Sequence, residues 1–163
     1  MTSSVKGKMG EAVALIGSIA LAASPVVAAE QNYDWVLRIN QDRVSDAVLS
    51  YEIADTDAQM LMLSCEEGGQ RIFVGSNHLP SGAQQLQVAA AGIGQMINGQ
   101  SRYVAEVDEN YFTSVSLDDA LPIFGALARS DTWTMASGSK QWTLTSNPQG
   151  RTKIGEFLRF CRG

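Results

Sequence analysis

Histidine and cysteine are scarce in this chain. One histidine, His78, and two cysteines, Cys65 and Cys161, are spread over 163 residues. A zinc site draws three or four ligands from such side chains. The two cysteines are not in a C-x-x-C pair, the spacing of a thioredoxin-like redox motif. No G-x-S-x-G segment offers a nucleophile elbow to His78, although Ser76 and Ser81 lie near it in "SNHLPSG". Asp55 and Asp57 in "ADTDA" lack the glycine and the later glutamate of a calcium-binding loop and read as a solvated turn. Gly92, Gly94 and Gly99 in "GIGQMING" lack the G-x-G-x-x-G spacing and the βαβ setting of a dinucleotide site. No cofactor or metal is expected on these grounds.

Basic residues are also few. Twelve lysines and arginines face 17 acidic residues, a formal net charge of −5, and nothing basic clusters. Such a surface repels a phosphate backbone, so nucleic acid is not an expected partner. Missing too is an uninterrupted apolar run of the roughly 20 residues that a helix needs to span a bilayer.

A shorter apolar run does stand near the start. Lys6 and Lys8 precede "AVALIGSIALAA", Ala12 to Ala23, and Pro25 follows. Val27, Ala28 and Ala29 then put small residues before Glu30. A basic n-region, a short h-region and a small-residue site are the parts of a secretory signal. The expectation is a leader over residues 1–29, cleaved after Ala29, or one residue earlier after Ala28. Residues 30–163 would then be one mature domain, large enough to bury a core. It would be periplasmic or secreted, with no stable membrane span once the signal is gone.

In an exporting compartment two cysteines usually pair. In "MLMLSC", Leu61, Leu63 and Cys65 share one face of a strand because side chains alternate. Near the C-terminus Ile154, Phe157, Leu158 and Cys161 recur at helical spacing as one apolar stripe. Both sulfurs point where the leucines point, and a helix docked on that strand face would join Cys65 to Cys161.

Strand patterns run through "WVLRI" (35–39), "AVLSYEI" (47–53), "MLMLSC" (60–65), "RIFVG" (71–75), "LQVAA" (86–90), "RYVAEVD" (102–108) and "YFTSVSL" (111–117). "EEGGQ" reads as a tight hairpin turn, and "AGIGQMINGQ" as a weak strand or loop. "TWTMA" and "QWTLT" flank "SGSK". If Ala136 pairs with Gln141, then Met135 faces Trp142 and Trp133 faces Leu144. A short helix is expected from Asp118 or Asp119, as caps, to about Arg129, and a final helix from about Arg151 to Cys161. The fold class is therefore mostly β or α+β. It is an antiparallel, sandwich-like or barrel-like sheet with two short helices, the last at the C-terminus.

Paired acids at Glu66–Glu67 and Asp118–Asp119 could suggest glycoside hydrolysis, which needs two carboxylates across a cleft. A hairpin turn and a helix start account for them more simply. A non-enzymatic protein is expected. If the face carrying Trp133 and Trp142 is uncovered, it is a partner surface.

An early Trp35, an apolar strand ending in Cys65, "RYVAEV", a helix ending "ALARS" and the terminal "FLRFCRG" together resemble small exported proteins of proteobacteria. More distantly they are similar to small periplasmic proteins associated with type VI secretion. These share a tryptophan start, an L-x-C strand and a C-terminal helix ending in cysteine. The resemblance implies a disulfide-bonded envelope domain that binds an envelope partner or supports structure, and no activity. Ser101, Arg102 and Tyr103 in "NGQSRYVA" also resemble part of the S-G-A-R-Y loop that periplasmic lysozyme inhibitors insert into an enzyme cleft. That likeness implies an inhibitor of a cell-wall hydrolase. An Arg-Tyr pair in a strand that packs its tyrosine is the simpler alternative.

Overall fold

The structure is a computed structural model in which residues 27–28, 33–40, 46–54, 56, 58–105 and 109–163 are described. The expected leader lies outside them except for Val27 and Ala28, and so do Asp55 and Asp57.

Alternation dominates the chain and makes strands. In order they are β1 (Val27–Ala28), β2 (Tyr33–Asn40), β3 (Asp46–Ile53), β4 (Gln59–Glu66), β5 (Arg71–Ser76), β6 (Gln85–Ala90), β7 (Ile93–Val104), β8 (Glu109–Ser114) and β9 (Leu117–Asp118). Helix α1 (Pro122–Leu127), β10 (Thr132–Ser137), β11 (Lys140–Thr145) and α2 (Pro148–Arg162) complete the chain. The strands form one sheet in the order β1-β11-β10-β6-β7-β8-β5-β4-β3-β2, with β9 paired to β5. Every pairing among the described strands is antiparallel except that of β1 with β11.

The sheet is curled into a half-barrel, the barrel-like form of the two expected. β2 and β10 stand far apart in the strand order, yet the rings of Trp35 and Trp133 lie 4.5 Å apart across the interior. Trp35 Nε1 donates to the carbonyl of Thr145 (3.1 Å), and the Thr145 amide donates to Tyr51 Oη (3.3 Å). Side chains from one end of the sheet thus satisfy backbone groups at the edge of the other end. Both indole N–H groups in this cluster are paired, Trp133 Nε1 to the carbonyl of Leu127, as buried indoles require.

Inside the curl lie Leu49, Leu61, Leu63, Ile72, Val74, Leu86, Ile97, Phe112, Met135 and Leu144, all buried. The two helices pack on the same concave face. α1 buries Ile123, Phe124, Ala126 and Leu127. α2 buries Ile154, Phe157, Leu158 and Cys161, the stripe its 3.6-residue spacing defines. Burying a side chain of this size contributes about 1.5–3 kcal/mol.

Helix α2 opens with Asn147, whose Oδ1 accepts from the Gly150 amide at 2.7 Å, and Pro148 occupies the first turn. It therefore starts three residues before the expected Arg151. α1 is shorter than expected and its cap is Leu121, with no side-chain bond. Asp118 instead bonds the Ala120 amide in a local turn. Asp119 is buried and accepts from Arg162 Nε at 2.9 Å, tying α1's approach to the end of α2.

The Cys65–Cys161 disulfide is formed, with an S–S length of 2.02 Å and Cα atoms 5.7 Å apart. It fastens the last turn of α2 to the end of β4. The Gly68 and Gln70 amides of the following turn donate to the carbonyls of Phe160 and Cys161, which a helix end leaves unpaired.

Two strand boundaries differ from the sequence reading. Of the two readings of the glycine-rich "AGIGQMINGQ", weak strand or loop, the strand holds beyond Gly92. It is the first half of the long strand β7, held by six pairs to β6 and continuing through Arg102. Backbone pairing on both sides supplies the order that its glycines do not. β7 runs to Val104, residues 106–108 of the expected strand lie outside the described residues, and β8 starts earlier than expected, at Glu109.

Candidate functional site

Trp133 and Trp142 are not a surface. They are 1% and 7% exposed, and their face of the β10–β11 hairpin lines the interior of the curl. The expected register is present, Met135 opposite Trp142 and Trp133 opposite Leu144. What the hairpin alone does not show is the cover, made by Trp35 from β2 and the C-terminal end of α1. The two indoles are core, and their candidacy as a binding face ends there.

Ser101, Arg102 and Tyr103 lie in β7, not in a loop. They pair with Phe112, Tyr111 and Asn110 of β8. Ser101 is turned inward. It is half-buried, and its Oγ is enclosed without a hydrogen-bond partner. Arg102 is exposed, with Nη2 3.3 Å from Gln100 Oε1. Tyr103 is 59% exposed, so the strand does not pack its tyrosine as the simpler alternative had it.

The setting of these residues matters more than their identity. β6 pairs with β7 only as far as Asn98, and β5 pairs with β8 only at Phe112 and Thr113. Among the described strands, the pairs Arg102–Tyr111, Tyr103–Asn110 and Val104–Glu109 have no third strand beside them. The end of the β7–β8 hairpin is a two-stranded ribbon that leaves the sheet, with Arg102 and Tyr103 exposed on its two opposite faces. Below it, the phenol of Tyr111 packs over Gly75 and reaches Met62 Sδ at 3.5 Å. Burial there pushes its pKa up.

His78 sits half-buried beside Tyr33 at the start of β2. Its Nδ1 is 2.8 Å from Asn77 Oδ1, and its Nε2 is 3.5 Å from Tyr33 Oη. The Ser76 hydroxyl donates to the carbonyl of Met60 at 2.7 Å and accepts from the His78 amide. Both its bonds are to backbone, so this serine fixes the start of a loop. Among the described residues no three His, Cys, Asp or Glu side chains gather as metal ligands.

The chain matches no family, no curated protein and no solved structure.

The outward face of the sheet adds features that the sequence reading missed. Phe73 and Val115 are 48% and 63% exposed. They flank the point where the β5–β8 ladder gives way to a side-chain bond, from the Val74 amide to Ser114 Oγ at 2.8 Å. Met96 is exposed on β7. Phe73 was legible in principle, since its neighbours Ile72 and Val74 take the core face and alternation sends it outward. On β3 the same face carries a buried acid. Glu52 is paired with Arg38 and also accepts from Ser50 Oγ. The Arg38 guanidinium holds its carboxyl below the usual range, against the opposing effect of burial.

Proposed function

We propose that the chain is exported, loses residues 1–29, and acts as a disulfide-locked module that binds a protein partner in the cell envelope. The ribbon at the end of β7–β8 carries this reading. It presents an exposed Arg102 and an exposed Tyr103 on a two-stranded support, and aromatic and arginine side chains are the types that dominate binding hot spots. The disulfide and the absence, among the described residues, of a helix long and apolar enough to cross a membrane are consistent with that setting.

The test is site-specific photo-crosslinking in intact envelope. A photoreactive residue at position 103 is expected to give a discrete adduct, and one at the exposed Arg159 of α2 none. Adducts from neither position overturn the proposal.

The same ribbon favours a second reading, an inhibitor that enters the cleft of a cell-wall hydrolase. Since Ser101 turns inward, Arg102 and Tyr103 would be the inserted pair. Lysozyme assayed with micromolar protein decides this. Inhibition relieved by Tyr103→Ala supports it, and full residual activity removes it.

A further inference from the structure

One edge of the half-barrel is closed by the chain itself. At the β11 edge the Thr145 amide and carbonyl face away from β10 and are taken by Tyr51 and Trp35. Backbone groups alternate direction along a strand, so those of Thr143 and Gln141 face the same open side. The chain fills that side with its own backbone. Val27 and Ala28 of β1 run parallel to β11, opposite Trp142 and Thr143. These are also the residues at the expected cleavage site.

We infer that β11 of the mature protein is a strand-acceptor edge, vacated when the leader is removed. It takes an extended segment of a partner polypeptide, parallel to β11, with small uncharged residues like the Val-Ala it replaces. The inference rests on the cleavage proposed above. The new N-terminus cannot refill the edge. Only three residues, Glu30 to Asn32, would precede Tyr33, whereas the strand seated on β11 begins six positions before it. An edge left with open amides and carbonyls is a template for another chain, and β11 does not carry the bulge or proline that usually blunts one.

The test uses the oxidised chain from Glu30, which keeps every described core side chain because that core begins at Trp35. The probe is a peptide of residues 24–30, Ser-Pro-Val-Val-Ala-Ala-Glu, added in excess and followed by amide NMR. The expected result is shifts confined to β11 and at least about tenfold slower exchange of the Thr143 amide, a change of about 1.4 kcal/mol. Thr143→Pro removes that outward N–H while leaving the β10 ladder intact, and should abolish the response. A peptide N-methylated at Val27, the residue whose backbone lies between those of Gln141 and Thr143 in this register, should fail on the unmutated protein, a check that does not depend on the variant's folding. No shift, shifts away from β11, or pairing of β11 between two copies of the chain would each overturn the inference. Terminal sequencing of the exported protein separately tests cleavage: an intact leader sinks that premise, whatever the peptide does to the chain from Glu30.

Discussion

Glu52 is a carboxylate on the outward face of β3, and it is nonetheless buried. It is tolerated there because Arg38 and Ser50 satisfy both its oxygens, so that the charge is paired where water is excluded. Its folded pKa is lowered, chiefly by the bond from Arg38. A lowered carboxylate pKa stabilises the fold above the unfolded value of about 4.3. That contribution is lost as pH falls through the folded value. Glu52→Gln should cost about 1–2 kcal/mol at neutral pH, the smaller end because Arg38 is itself half in solvent. Urea midpoints measured from neutral to acid should converge for the two proteins below about pH 4. Parallel curves would mean that Glu52 contributes nothing through its charge.

The β7–β8 ribbon depends on how closely its two strands meet where it leaves the sheet. At Gly99, opposite Ser114, a Cβ would sit 2.5 Å from the Phe112 ring and against the Thr113 carbonyl. Backbone oxygen cannot turn aside. Gly99→Ala is expected to destabilise by about 2–3 kcal/mol, read as a lowered midpoint in urea, with loss of amide protection in Arg102 to Val104. Unchanged protection there would show that the ribbon does not rely on this contact. Gly99 of "GIGQMING" thus has a structural use that the composition of the stretch concealed. The glycines left the stretch open between a weak strand and a loop, because glycine weakens an isolated strand. Pairing with β6 and the close pass of β8 reverse that, and alternation along one strand does not report what its partner strands supply.

At the scale of the molecule the C-terminal helix closes the curl, and the disulfide holds its far end. The bridged residues are 96 apart, so the bond removes a large loop's worth of freedom from the unfolded chain. Replacing both cysteines with alanine should cost about 2–4 kcal/mol. The loss should concentrate at the last turn of α2, where hydrogen exchange would report the carbonyls of Phe160 and Cys161 parting from the Gly68 and Gln70 amides. An unchanged urea midpoint would show that the core alone keeps α2 seated. Asn147, capping the other end, and Gly150, which lets Trp35 approach (a Cβ there would fall 2.8 Å from its Cδ1), anchor the first turn independently.

Local periodicity was enough to read the β4–β5 and β10–β11 hairpins, the residue-by-residue register at Trp133 and Trp142, the amphipathic last helix and the pairing of Cys65 with Cys161. Each of these follows from which side of a strand or helix a side chain must take, and that is fixed by neighbours a few residues away. The curl of the sheet was not in that pattern. It decided that Trp133 is covered by Trp35 and that one edge of the sheet rests on the chain's own amino-terminal segment. Those outcomes depend on contacts between strands far apart in the chain, and alternation along one strand carries no information about what another strand brings to meet it.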